Sequence, residues 1–579
     1  MAVRRGVWVV VALMVVAIMI SAVGLLVTSL MLGGEPHVSG NSTLVLKVSG
    51  DLEELEPGGV FAPIFEAPPT VRTLVDSLRK AKVDRRVTSV IIRPTSSAAL
   101  WGKVQEVRDA IVDFRSSGKP IVAHLEFGGE QEYFLASACD KVFLTPTSTL
   151  DLTGIASYEL FLRGTLDKIG AFPDALHVGE YKTAANTFTE HTFTPSHREM
   201  AQSLNTDLYE QLVKAIAEAR HKTAAEVRTL IDHGPYLPED AIRAGLIDDI
   251  AYEDEIDDKV TLGQGTVKFL SMSEYRKVPS RSLGLNKGPR IAVVYATGVI
   301  TSGESSYEPT TGQSIGSDTM IEHLRKVRAD NSIKAVVLRV DSPGGSAIAS
   351  DVIWREMMLT RERKPLIASM SDVAASGGYY ISMPAHKIVA QPATLTGSIG
   401  VVMIKFAIGG TLEKLGMNME RVTSGKYADL WAPDRPFTPE ERKRIEESMH
   451  ATYETFVEKA AAGRKTTPER IDSIAQGRVW TGAQAKQHGL VDELGGLNRA
   501  LELAKTAAGI DATSEVELVI YPQRRSFYDL VQDPFGADEG LLRAVIGLKH
   551  RRALQTLTAP FRFFRRGEPL ALMPNVFVR

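Results

Sequence analysis

The 579-residue chain is long enough for several self-sufficient cores, and 44% hydrophobic with 24% charged residues is ordinary for globular protein. A formal net charge of −3 gives no footprint for nucleic acid, so no nucleic-acid partner is expected. A single cysteine, Cys139, excludes an intramolecular disulfide framework. No His/Asp/Glu cluster has ligand spacing either, so neither a metal site nor a cofactor is expected.

In chain order, the first signal is an uncharged apolar run from Gly6 to Leu32, preceded by Arg4 and Arg5. It exceeds the ~20 residues that span a bilayer and the 7–15 of a cleavable signal core. The expectation is a single transmembrane anchor over 1–35, N-terminus in the cytoplasm and body on the far side.

The body contains an internal repeat. KPIVAHLEFGGEQEYFLASACDKVFLTP (119–146) parallels KPLIASMSDVAASGGYYISMPAHKIVAQP (364–392), and VGEYK (178–182) parallels SGKYA (424–428). Tyr181 and Tyr427 stand 246 positions apart, and Lys141 and Lys387 keep that offset. Long helical stretches follow at about 195–232 and 438–475, and AIRAGLIDDI (241–250) answers AKQHGLVDEL (485–494). Short apolar runs alternating with helical patterns predict βαβ units, with a parallel or mixed sheet in each copy. Chemistry is then expected at the strand C-terminal ends. The expected partition is a first α/β repeat over 36–270, a linker over 271–288, a second repeat over 289–510 and a basic tail over 511–579.

The copies differ where chemistry is expected. The second carries RVDSPGGS (339–346), SDVAASGGYY (371–380) and TLTGSIGV (394–401), each a small-residue turn after a strand. Ser376 is the candidate nucleophile near a helix N-terminus, and the N–H groups of Gly345 and Gly377 are the candidate oxyanion donors. The first copy has Glu130 and Ser97-Ala98-Ala99 at the equivalent places. A serine needs a base. His323, His386, His450 and His488 lie outside the small-residue motifs. Lys182 is the alternative: its counterpart is Ala428, so the copy without the serine has the lysine and the reverse. A free lysine is protonated near neutrality, so Lys182 must be desolvated where the copies meet. Ser398 is placed to orient its amine.

DSPGG (341–345), AASGGYY (374–380), TGSIGV (396–401), GEYKTA (179–184) and GLVDELGG (489–496) together resemble signal peptide peptidase A of the long, duplicated bacterial type, over about 43–507 plus the anchor. The resemblance implies two tandem crotonase/Clp-protease-like α/β repeats. It implies a Ser376/Lys182 dyad, oxyanion donors at Gly345 and Gly377, and a lysine-contacting hydroxyl at Ser398. It also implies a homotetramer on the outer face of the cytoplasmic membrane, cutting remnant signal peptides. Ala184-Ala185-Asn186-Thr187-Phe188 departs from the Ala-x-Glu-Pro-Phe common after the family's lysine. The other readings of the frame are a crotonase-type acyl-transfer enzyme, disfavoured by export from the CoA pool, and an inactive membrane scaffold. The tail from Arg543 to Arg579 holds eight Arg/Lys against Glu568 alone. It is expected either to touch anionic lipid or to dock its apolar end, PLALMP (569–574).

Overall fold

The computed structural model describes residues 38–50, 52–55, 70–97, 99–256, 259, 268–308, 312–523, 569–574 and 577–578, with isolated positions between 14 and 24. Most of the apolar run 6–32, and residues 543–568 of the basic tail, lie outside the described residues. Among the described residues no helix is long and apolar enough to cross a membrane.

The first repeat runs β1 (Ser42–Gly50), α1 (Val71–Val83), β2 (Val87–Ser97), α2 (Trp101–Arg115), β3 (Ile121–Leu125), α3 (Glu130–Ala136) and β4 (Lys141–Leu144). β5 (Ser157–Tyr158), β6 (Phe172–Val178), α4 (Pro195–Arg220), β7 (Asp249–Ile250) and β8 (Lys268–Ser271) follow. Its sheet is ordered β7-β4-β3-β2-β1-β8, every pair parallel. The central strands are near-continuous apolar runs because helices cover both faces.

The second repeat repeats the pattern. β9 (Arg290–Thr297) is followed by β10 (Val299–Thr301), β11 (Tyr307–Glu308), β12 (Gly312–Gly316), α5 (Ser317–Ala329), β13 (Ile333–Ser342), β14 (Gly344–Ser346) and α6 (Ala347–Arg361). Then come β15 (Leu366–Ala375), α7 (Gly377–Ser382), β16 (Lys387–Ala390), β17 (Leu395–Gly397), β18 (Val401–Ala407), α8 (Pro439–Arg464), β19 (Val479–Thr481), β20 (Glu493–Leu494) and β21 (Glu517–Tyr521). The sheet is ordered β19-β17-β15-β13-β9-β21, with β16 joining β15 to β20.

The twins match in detail. α4 and α8 both open on Thr-Pro, with Thr194 and Thr438 as N-caps, and both stop at a left-handed residue, His221 or Lys465. Tyr133 and Tyr379 each donate from the hydroxyl to a leucine carbonyl, Leu246 at 2.6 Å and Leu490 at 3.1 Å.

Two segments behave differently from the expected partition. The 271–288 stretch is anchored to the first repeat: Tyr275 and Val278 join that core, and Lys80 Nζ donates to the Tyr275 and Val278 carbonyls. β21, placed by sequence in the tail, instead closes the second sheet against β9, as β8 closes the first against β1.

The copies are joined by buried polar contacts. α2 lacks a side-chain cap of its own, and Asp372 of the second copy supplies one, accepting from Leu100 N at 2.9 Å and Lys103 N at 2.7 Å. Lys103 Nζ pairs with Asp341 at 2.7 Å. Arg339 donates to Glu54 through Nε and Nη2 (2.9 and 2.8 Å), to Glu106 at 2.7 Å and to Ser369 at 3.0 Å. Burial alone would raise the Glu54 carboxyl; Arg339, by charge and hydrogen bonds, together with the Lys103 charge and the Ser371 hydroxyl, holds it below the usual carboxylate value. Such a cluster adds little net stability over apolar packing, but removing one member leaves buried charge uncompensated.

A third sheet crosses the same boundary, with β22 (Leu570–Leu572) in the order β11-β12-β10-β14-β22-β18-β6. In it β6 of the first repeat lies antiparallel to β18 of the second along their full length, Val178 opposite Val401 to Phe172 opposite Ala407. β22 (Leu570–Leu572) fills the place between β14 and β18, and β23 (Phe577–Val578) pairs with β5.

Candidate active site

The β6/β18 pairing delivers the loop after β6 to the ends of β15 and β17. Lys182 follows it, and its Nζ stands 2.7 Å from Ser376 Oγ, 2.8 Å from the Ser398 carbonyl oxygen and 3.1 Å from Ser398 Oγ. Ser376 is 0% exposed and Lys182 1%. Burial pushes the Lys182 amine well below the usual lysine range. The structure thus brings Lys182, Ser376 and Ser398 together from both copies.

Ser376 sits at the strand–helix turn from β15 into α7 with φ 55° and ψ −111°, a strained conformation for a non-glycine residue, which costs about 1–3 kcal/mol. It is held by Ser376 N donating to Gly397 O and Tyr380 N donating to Ser376 O, both at 2.8 Å. Ser398 is also left-handed, φ 50°, and is pinned by its N–H to Arg478 O at 2.7 Å. Both departures from relaxed backbone lie on the residues that meet Lys182 Nζ.

The two glycine positions lie beside the serine. Gly344 donates its N–H to Ser342 Oγ at 3.2 Å. The N–H of the next residue, Gly345, lies against Gly377: a Cβ on Gly377 would stand 3.2 Å from Gly345 N. Gly344 tolerates no side chain, since a Cβ there would fall 1.9 Å from Ala571 O and 2.7 Å from Gly377 N. The four histidines of the second copy lie elsewhere: His386 Nδ1 accepts from Leu366 N at 3.1 Å, His488 stacks on Trp480, His323 packs near Tyr521, and His450 is exposed.

Sequence reasoning missed the seat of Lys182. The second copy's turn Gln476-Gly477-Arg478 receives the first copy's loop: Tyr181 N donates to Gln476 O at 2.7 Å, and Gly477 N to Ile399 O at 2.7 Å. A Cβ on Gly477 (φ 77°) would lie 2.5 Å from Lys182 N and 2.6 Å from its Cα. Arg478 is sandwiched between the Tyr181 and Trp480 rings, 4.6 and 4.5 Å from their centroids, and donates to Glu199 at 2.7 Å. Only the lone glycine before Arg-Val-Trp hinted at this in sequence.

In the first copy the same turn carries Glu130 at the start of α3. Its Oε1 accepts from Thr153 N and Gly154 N at 2.9 and 3.1 Å, so it fastens a loop. Cys139 is buried and its thiol is pushed up by burial, which leaves it a packing residue.

Two stretches of the chain, residues 113–265 and 358–511, match Peptidase family S49, one in each repeat. The chain is 39% identical over 462 residues to "Serine protease SPPA, chloroplastic" of Arabidopsis thaliana, covering 79% of this chain and 68% of that protein. It is 33% identical over 487 residues to "Protease 4" of Salmonella typhi, covering 82% and 76%. A 36% match over 227 residues to "Putative signal peptide peptidase SppA" of Enterococcus faecium covers 39% of this chain and 65% of that one. With both repeats matched and relatives at this similarity over more than two thirds of their length, the chain belongs to Peptidase family S49 and is a serine protease of the long, duplicated type.

Proposed function

We propose that the chain is a membrane-anchored endopeptidase that degrades remnant signal peptides through a Ser376/Lys182 dyad. The observation that carries this reading is the 2.7 Å approach of Lys182 Nζ to Ser376 Oγ, with both residues buried. A lysine kept neutral by burial has a lone pair, so the Ser376 O–H donates to Nζ while the amine's own N–H groups donate to Ser398 O and Oγ. Ser376 Oγ attacks the peptide carbonyl as its proton passes to Nζ. The oxyanion is met by the N–H groups of Gly345 and Gly377. The resulting ammonium gives its proton to the leaving amine. Water then takes the same route to release the acyl group.

The preference for apolar peptide is supported by the cluster beside Lys182: Leu166, Ala171, Ala184, Phe188, Val402 and Ile404. β14 and β18 flank a place where an extended strand pairs on both edges, a recognition mode suited to unfolded peptide. The run 6–32 is read as the anchor, with the body on the periplasmic side of the cytoplasmic membrane. Each repeat is read as a crotonase/Clp-type unit, and the assembly as a homotetramer. Head-to-tail assembly is favoured by one asymmetry: β6 of the first repeat is paired, whereas its counterpart 418–424 is exposed and Val422 is 100% exposed.

The test is labelling of the full chain by a fluorophosphonate and hydrolysis of an apolar fluorogenic peptide. Ser376→Ala is expected to lose both; a fully active Ser376→Ala or Lys182→Ala enzyme refutes the dyad. Mixing the two inactive variants asks whether neighbours exchange catalytic groups, and the intrachain 2.7 Å contact predicts no recovered activity.

A further inference from the structure

The strand that fills the peptide groove is the chain's own. Gly344, Gly345 and Ser346 lie opposite Leu572, Ala571 and Leu570 in antiparallel register, and on the other edge Val402 lies opposite Leu570. The flanks are closed by Ala347 N donating to Pro569 O at 3.2 Å and Met573 N donating to Pro343 O at 2.9 Å. Leu570, Ala571, Leu572 and Met573 are all buried. Their side chains alternate as a bound strand requires: Leu570 and Leu572 enter the apolar cluster with Ala184, Phe188 and Ile404, while Met573 joins a different cluster with Ala375, Leu395 and Val479, Ala375 being next to the serine in sequence. Ala571, register partner of Gly345, brings its carbonyl oxygen to the crowded point between Gly344 Cα and Gly377 N.

A substrate peptide needs all of these things: both strand edges, the apolar cluster, and a carbonyl beside Gly345 and Gly377. The two cannot be present together. Resting on the dyad reading above, we propose that residues 569–574 are a tethered pseudo-substrate that holds the protease latent, and that an apolar peptide must displace this strand to reach Ser376. Phe577–Val578, paired with Ser157–Tyr158, fastens the far end to the first repeat. A tether of this kind presents its segment at roughly millimolar effective concentration. A groove free about a tenth of the time weakens apparent substrate affinity about tenfold.

The test compares the full chain with its Leu570→Asp/Leu572→Asp variant, which places two carboxylates in the apolar cluster. A second variant ends at residue 568 and adds no charge to the core. Both are assayed in the same detergent for the rate of fluorophosphonate labelling and for kcat/KM on an apolar fluorogenic peptide. Both rates are expected to rise about tenfold in either variant. A synthetic Pro-Leu-Ala-Leu-Met-Pro peptide is expected to inhibit the shortened chain competitively at about millimolar concentration, as the tether's effective concentration implies. Unchanged or lower rates in the shortened chain, with labelling still abolished by Ser376→Ala, overturn the latch and leave the dyad standing. Labelling that persists in Ser376→Ala overturns the dyad reading itself.

Discussion

The two repeats share a frame and put it to opposite uses. After β15 the second places Ser376 at a strained turn; after β3 the first places Glu130, which ties down Thr153 and Gly154. After β18 the second passes a short helix (Gly409–Lys414) and an exposed stretch before Ala428; the first lends β6 to its sister and buries Lys182. At this turn the backbones differ: Ser376 has φ 55°, whereas Gly129, which caps α3 in the first copy, sits at φ −86°. The strained version of the turn is the one whose side chain meets Lys182, and the relaxed version is the one that holds a loop.

The largest expected effect breaks the comparison at its centre. Lys182→Met should lower kcat/KM for an apolar peptide by about 10⁴-fold or more, as loss of a dyad member does. Glu130→Ala, at the equivalent of the serine, should leave kcat/KM within twofold. Equal losses in both would mean that the copies are not divided as described. The next effect is on stability. Arg339→Ala strands Glu54 and Glu106 without their cation and should cost about 3–5 kcal/mol in urea unfolding. A smaller loss concerns placement: Gly477→Ala pushes on the Lys182 backbone and should cut kcat about 10²-fold in a protein that still folds. The mildest test is pH. The Lys182 amine titrates below its ordinary value, so on the proposed dyad mechanism activity should rise with pH through that lowered pKa and fall below it, as the amine becomes protonated. Between the lowered value and the usual lysine value near 10.5 the unfolded chain binds the extra proton, so Lys182 makes stability rise with pH, by up to about 1.4 kcal/mol per unit. Lys182→Met should remove that part of the slope in a series of melting curves.

The repeat and the meeting of Lys182 with Ser376 were legible because duplication supplies an internal control: a residue missing from one copy and present in the other points at a shared site. The α/β class was legible in the alternating apolar runs. The seat at Gln476-Gly477-Arg478, the Asp372 cap on α2 and the Arg339 cluster were not. Each joins residues far apart in the chain through small or polar groups that leave no periodicity. β21 was misplaced in the tail because a five-residue edge strand following a polar turn resembles the start of an extension; its twin β8 shows that each sheet closes with such a strand. PLALMP was readable as an apolar end, but its partner, the Pro-Gly-Gly turn, was not, since edge pairing is made by backbone.

Asp372 reaching across to cap α2 has an evolutionary corollary. A half-chain released on its own would leave the start of α2 to water, and the other half would turn outward a carboxylate that is shaped to meet two backbone N–H groups. A substitution at position 372 is therefore felt first at the start of a helix in the sister repeat, and at this joint the two halves have to change in step.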